Sequence, residues 1–151
     1  FLIRWPAKVK AAAQWNEPVC QTDLLATFAQ MLGKKLPENA GEDSDSFYGV
    51  LTGTKETIPR VSMVHHSSQG RYAIREGKWK LVMEDARKNK RELYDLSSDP
   101  RETKNLVAKH PDIERQLAVK LTALVNNGRS TPGVPQKNDT ARWRDLVWIK
   151  Q

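Results

Sequence analysis

The chain has 151 residues, a length for one domain or one part of a larger protein, and its 38% apolar content with a mean hydropathy of -0.67 leaves room for only a modest core. A formal charge of +7 and a pI near 9.6 favour an anionic partner, although charge of this kind governs steering and surface rather than fold. The single cysteine, Cys20, excludes an internal disulfide and is too little for a zinc site, and no apolar run approaches the ~18 residues of a membrane helix.

Phe1-Leu2-Ile3 is apolar from the first residue and lacks Met, so the sequence reads as a chain entered in its middle, with no signal peptide visible. Phe1 to Trp5 is expected as a short strand stopped by Pro6, which has no N–H for a ladder. Lys8 to Gln14 is a basic, alanine-rich connector. Thr22 is expected to cap a helix from Asp23 to Leu32, with Leu24, Leu25, Phe28, Met31 and Leu32 as its apolar stripe, Asp23 favouring the helix dipole and Gly33 as the stop. Val19, Leu24 and Leu25 surround Cys20 with apolar neighbours, which predicts a buried, inert thiol. Pro37 to Asp45 reads as an acidic loop, Ser46 to Leu51 as a short helix ended at Gly53, and Thr54 to Arg60 as a linker.

Val61 to His66 has the β-branched, apolar character of a strand and leads into a hairpin, Gly70 to Val82. A two-residue loop, Glu76-Gly77, sets Arg75 opposite Lys78, Ile74 opposite Trp79 and Tyr72 opposite Leu81. Strand alternation then puts Tyr72, Ile74, Trp79 and Leu81 on one face and Arg71, Arg75, Lys78 and Lys80 on the other. After the charged loop Glu84 to Arg91, Glu92 to Leu96 forms a further strand. Asp99, Pro100 and Glu102 have the spacing of a capping box. A longer helix starts at Pro111, carries Ile113, Leu117, Leu121, Leu124 and Val125 at helical spacing, and ends at Gly128. The tail from Arg129 to Gln151 is aperiodic, and its Trp143 and Trp148 need a surface to lie against that this chain need not contain. The fold class is therefore α+β: a small antiparallel β-sheet of three to four strands packed against a long C-terminal helix, with an N-terminal helical segment.

No Gly-rich phosphate loop, Cys/His zinc pattern or Gly-x-Ser-x-Gly elbow is present. The chemically suggestive residues are His65 and His66 beside a basic hairpin face. Neighbours on a strand point to opposite faces, so one of the two imidazoles is available to a given site, as ligand or proton donor to an anionic ester, or else both are edge and solvent residues. Arg75, Lys78 and Lys80 supply the charge-assisted donors that bind sulfate or phosphate, or form a solvated outer face with their stems lying over the sheet. Turn and cap duties account for Asp99 and Glu102, and Asn138-Asp139-Thr140 fits a glycosylation sequon.

Phe1-Leu2-Ile3-Arg4-Trp5-Pro6-Ala7-Lys8-Val9-Lys10 resembles the P-[FL]-I-x-R-W-P-G-K-[IV] segment of arylsulfatase-type sulfatases, in the alkaline phosphatase superfamily. The resemblance continues through Val19-Cys20-Gln21-Thr22-Asp23-Leu24-Leu25-Ala26-Thr27-Phe28, Gly41-Glu42-Asp43-Ser44 and Val64-His65-His66-Ser67. It then takes in Ala73 to Leu81, Glu92 to Leu96, Asp99-Pro100 with Glu102, Asn105-Leu106 and Gly128-Arg129-Ser130-Thr131-Pro132-Gly133. Ala7 stands where the family has Gly, and the Glu84 to Arg91 loop is short, which leaves the sulfate ester unspecified.

The resemblance implies a sulfatase whose formylglycine, made from the Cys or Ser of a Cys/Ser-x-Pro/Ala-x-Arg motif, attacks a sulfate ester beside a Ca²⁺ ion. Cys20 is followed by Gln21-Thr22-Asp23-Leu24, which is not that motif. It thus implies that residues 1–151 are a single C-terminal subdomain, without the catalytic N-terminal α/β domain, which supports that domain and lines its substrate cleft with His65, His66, Arg75, Lys78 or Lys80. No catalytic or metal-binding residue is expected in this chain, and alone it is expected to be inactive. The implied partners are the N-terminal domain and a sulfate ester, and the implied location is periplasmic or extracellular, lysosomal in a eukaryote. Two other readings stand beside it: part of a phosphate or phosphonate ester hydrolase, and a basic module for nucleic acid or sulfated glycan. Tyr72 and Trp79, on the apolar face, argue against a base-stacking platform.

Overall fold

Short runs that alternate in polarity and are separated by tight turns pair with their sequence neighbours, and that pattern builds the second half of this chain. The computed structural model describes residues 1–54, 60–68, 70–85, 90–137, 146, 148 and 149. Most of the expected linker, residues 86–89 of the charged loop, the Asn138 sequon and Trp143 lie outside them. In chain order the elements are α1 (Asp23–Met31), α2 (Tyr48–Leu51), β1 (Ser62–His66), β2 (Tyr72–Glu76), β3 (Trp79–Asp85), β4 (Lys90–Asp95) and α3 (Pro111–Asn127). They fall into two compact units, Phe1–Arg60 with Arg129–Val134, and Val61–Gly128 with Pro135–Gln151.

The second unit holds a four-stranded antiparallel sheet in the order β1-β2-β3-β4. One face packs on α3 through Ile74, Leu81, Met83 and Leu93 from the strands and Leu117, Ala118 and Leu121 from the helix. The α+β architecture is the one expected. The hairpin register differs: Glu76 pairs with Trp79 and Ile74 with Leu81, so the loop is Gly77-Lys78. Gly77 stands at φ 55° in the first loop position, which a II′ turn requires; placing it second would ask the same of Glu76. The slip moves each partner by two residues, so the faces keep their membership. Ala73, Arg75 and Lys80 therefore still share the face away from α3.

The outer edge of β4 is closed by its own chain. Leu106 N–H donates to the Leu93 carbonyl, Leu93 N–H donates to Asn105 Oδ1, and Asn105 Nδ2 donates to the Arg91 carbonyl. No helix follows Asp99, contrary to the capping-box expectation. Asp99 instead accepts the N–H groups of Thr103 and Lys104 in a loop, and Glu102 takes a positive φ of 57° and turns to Lys80. The backbone bonds to Asp99 from Lys104, then the Thr103 contacts, lower its pKa against the opposing effect of burial. Trp148 finds its surface within the chain: it packs against the α3 core and its Nε1 donates to Thr122 Oγ1 at 3.2 Å.

The first unit inverts the usual rule for an amphipathic helix. The stripe Leu24, Leu25, Phe28, Met31 and Leu32 exists, but it points outward, with Phe28 50% and Leu32 66% exposed. The packed side of α1 is polar, with Asp23 and Thr27 buried. Thr22 makes no cap bond; its hydroxyl donates to the Asp43 carbonyl. The helix ends as expected at Gly33, whose N–H donates to Gln30 while that of Lys34 donates to Ala29. Phe1 to Trp5 forms no strand; the rings of Phe1 and Trp5 lie against Phe47 and Tyr48 of the α2 region. Cys20 is half-buried, more exposed than its neighbours suggest, and its N–H donates to Asp23 Oδ2.

Candidate functional site

The sheet brings three of the five candidate residues onto one face. Met63 pairs with Arg75, which pairs with Lys80, and His65 lies opposite Ala73, diagonal to Arg75. Ala73 is buried and small, so nothing at that position rises between the imidazole and the two cations. The His65 pKa lies below its ordinary value, first because surrounding protein displaces water, then because Lys80 and Arg75 repel a third positive charge; Glu102 opposes the shift. At neutral pH His65 is therefore an uncharged donor and acceptor. Lys80 Nζ sits 2.6 Å from Glu102 Oε1, and Arg75 Nε donates to the Gly77 carbonyl at 3.1 Å. The face thus presents a guanidinium, a carboxylate-paired ammonium and a neutral imidazole, a set able to orient an oxyanion by hydrogen bonds with little net charge.

His66 and Lys78 stand apart from this group. His66 projects to the opposite face and stacks on Tyr72 with ring centroids 4.2 Å apart. Lys78 occupies the turn, reaches Asp95 Oδ2 at 2.8 Å and lies 4.9 Å from the Trp79 ring centroid. That ammonium first, then Ser97, hold the Asp95 pKa down at about 2.

A buried polar network, not anticipated from the sequence, runs through the first unit. Asp23 accepts the Cys20 and Asp45 N–H groups and pairs with Arg60, whose side chain is only 6% exposed and which also approaches Asp45 at 3.6 Å. Burial pushes the Asp45 pKa up; Arg60 opposes this, while Asp23 and Asp43 add to it. Ser44 Oγ accepts the Ala26 N–H and donates to the Thr22 carbonyl, and Thr27 Oγ1 accepts the Phe47 N–H. Arg129, with Ser130 and Thr131, binds the 38–43 loop through Glu38, Glu42 and Asp43. The signal lies in three separate sulfatase-like segments, whose residues Thr22-Asp23, Glu42 to Ser44 and Arg129 to Thr131 the network joins.

The donor sets do not fit the metal and nucleophile that the resemblance implies. Among the described residues no three His, Cys, Asp or Glu side chains gather into a metal-binding group. Among the described residues no helix is long and apolar enough to cross a membrane.

Residues 1–130 match the family model described as N-sulphoglucosamine sulphohydrolase, C-terminal. The chain is 34% identical over 131 residues to the N-acetylgalactosamine-6-O-sulfatase of Bacteroides thetaiotaomicron, a match that covers 78% of this chain and 25% of that protein. It is 27% identical over 156 residues to arylsulfatase K of Homo sapiens, covering 92% and 28%. A solved structure described as a complex with its substrate D-glucosamine-2-N,6-O-disulfate superposes with a TM-score of 0.64 at 25% identity, covering 80% of this chain and 26% of that one. The chain thus spans about a quarter of the length of the curated relatives it matches. With the family model covering all but the tail, the chain belongs to the N-sulphoglucosamine sulphohydrolase C-terminal family and is a sulfatase C-terminal domain.

Proposed function

We propose that residues 1–151 serve as the C-terminal part of an enzyme that hydrolyses sulfate esters of amino sugars, and that both compact units belong to that part. The observation that carries this is the family match over residues 1–130, joined to a 34% identical relative named for a 6-O-sulfated amino sugar. In this reading the reacting groups, the formylglycine and its Ca²⁺ ion, reside on the remainder of the polypeptide, and no step passes through them here. The face of His65, Arg75 and Lys80 lines the entrance: Arg75 and Lys80 attract and orient the sulfated sugar, and neutral His65 hydrogen-bonds it without adding charge. Such an enzyme meets its polymeric substrate in the periplasm, outside the cell or in a lysosome.

The test compares the full-length polypeptide with the 151-residue chain on 4-nitrophenyl sulfate and on 6-O-sulfated glucosamine and galactosamine. Turnover is expected from the full-length polypeptide alone. Arg75→Ala and His65→Ala should each lower kcat/KM on the sulfated sugar by about tenfold, roughly 1.4 kcal/mol of transition-state binding, while His66→Ala should leave it unchanged. Turnover by the short chain, or full activity in both Arg75→Ala and His65→Ala, would sink the respective parts of the proposal.

A further inference from the structure

Residues with a Cβ avoid the left-handed region of backbone space, because the side chain crowds the following carbonyl. Glu102 nevertheless stands there, at φ 57°. Its loop holds it from both sides. Glu102 N–H donates to the Asp99 carbonyl at 3.1 Å, and the N–H groups of Thr103 and Lys104 both donate to Asp99 Oδ2 at 2.8 Å. Asn105 then fastens the loop to β4. This geometry turns the Glu102 side chain away from its own loop and onto Lys80, with Oε1 2.6 Å from Nζ. The ion pair alone does not account for the strain. Its two side chains are 21% and 32% exposed, and solvated pairs of that kind stabilise little. A strained residue that its surroundings pin in place is a common feature of ligand sites.

What the carboxylate adds to the face of His65, Arg75 and Lys80 follows from counting donors and acceptors. Arg75 uses only Nε, on the Gly77 carbonyl, so both terminal guanidinium nitrogens are unoccupied among the described residues. The His65 ring and Glu102 Oε2 likewise have no hydrogen-bond partner there. Glu102 also lies close enough to His65 to act on its charge. A guanidinium only donates and a carboxylate only accepts. A ligand that satisfies both must carry an oxyanion and, beside it, a hydrogen-bond donor. The charges make the same demand. Glu102 cancels Lys80 and His65 is uncharged, which leaves Arg75 as the net charge, a match for one sulfate and not for two. We propose that Glu102 is a specificity-determining residue of this face: its free oxygen accepts a sugar hydroxyl next to the sulfate, and its charge repels sugars in which that hydroxyl is itself sulfated. The inference rests on the proposed function above and narrows its substrate to singly sulfated sugars. In a 6-O-sulfated amino sugar the neighbouring hydroxyl is the one at position 4.

The experiment compares wild type and Glu102→Gln in the full-length polypeptide on three sugars: N-acetylgalactosamine 6-O-sulfate, its 4,6-di-O-sulfate and its 4-deoxy-6-O-sulfate. Both kcat/KM and calorimetric affinity are read. Glutamine keeps the shape and one acceptor but removes the charge. Wild type should prefer the monosulfate to the disulfate, and Glu102→Gln should narrow that preference by about tenfold, because a like charge no longer faces the second sulfate. Loss of the 4-hydroxyl should cost wild type about tenfold and the variant clearly less, since hydrogen bonds to charged groups are the stronger ones. If Glu102 only braces Lys80, the variant weakens all three sugars by the same factor. Such unmoved ratios overturn the inference, and so does a wild-type preference for the disulfate. Turnover of 4-nitrophenyl sulfate by wild type is read in parallel. Turnover with unmoved ratios keeps the sulfatase reading and removes the role of Glu102. Shifted affinity ratios without turnover do the reverse, and failure of all three sugars to bind removes both.

Discussion

Removing the Asp23 carboxylate leaves the Cys20 and Asp45 N–H groups without their acceptor and takes one of its two carboxylates from the nearly buried Arg60 guanidinium. Asp23→Ala is therefore expected to cost on the order of 3 kcal/mol, the low end for breaking a buried pair because Asp45 stays beside the cation, read as a fall in the urea midpoint. Asp95 makes a different statement, about pH. Its pKa is held at about 2 in the folded chain by Lys78 and Ser97, against an ordinary aspartate value of about 3.9 when unfolded. A depressed carboxylate contributes stability above its unfolded pKa, and that contribution disappears as pH falls through the folded value. The thermal midpoint should drop between about pH 4 and 2, and Asp95→Asn should flatten the drop. For His65 the NMR titration of its ring protons should fall below the ordinary range. Glu102→Gln should lower it further, because it removes the one charge that favours the imidazolium. None of these roles could be read from residue type alone. Asp23 looked like a dipole partner and Glu102 like half of a capping box, since spacing specifies local neighbours and not the contacts 22 or more residues away that the fold creates.

Among the elements, the sheet, α3 and the span of α1 are legible in the sequence and the packed side of α1 is not, for one reason. Period and turn chemistry report which residues share a face, but not which face is covered. In the second unit the cover is α3 itself, so the alternation of Tyr72, Ile74, Trp79 and Leu81 and the stripe of Leu117 and Leu121 point at each other. In the first unit the polar side of α1 is the one packed, and the sequence pattern carries no sign of that inversion. The hairpin slipped because the expected loop put Gly77 second, where the turn needs it first. Two substitutions separate these effects. At Gly77 an added Cβ meets nothing within 4 Å, so Gly77→Ala should cost only the backbone strain of its positive φ, about 1 kcal/mol. At Gly128 the same atom would stand 2.2 Å from the Gln136 carbonyl oxygen, so Gly128→Ala should cost clearly more in a denaturation series. Leu121→Ala, at a wholly buried core position, should cost about 2–5 kcal/mol.

For the whole molecule, the net charge of +7 is a poorer guide than the pairing of those charges. Lys78 with Asp95, Lys80 with Glu102, Arg91 with Glu114 and Lys120 with Glu76 consume much of the basic surface that the sheet unit would offer a polyanion. Heparin-column retention of the 151-residue chain should accordingly be weak and vanish near ~0.15 M salt, where exposed charges are screened beyond about 8 Å. Retention at several times that salt would restore the reading of a free-standing glycan-binding module. The oxyanion-orienting face was legible in outline, since strand alternation puts Arg75 and Lys80 together. That His65 joins them and His66 does not depends on the β1 pairing with Ala73, which adjacency in sequence leaves open.

Asn105 exposes one tie of the β4 edge to slow chemistry. One exposed amide shares in closing the outer side of β4 with the Leu106 N–H, its oxygen accepting from Leu93 and Val107 and its nitrogen donating to Arg91. Hydrolysis of that amide to an acid would keep both acceptors but delete the donor, setting a carboxylate against the Arg91 carbonyl. A preparation of this protein would then age by gradual conversion of this amide, losing the tie to Arg91 molecule by molecule while the Leu106 bond to Leu93 and the pairing of β4 with β3 remained intact.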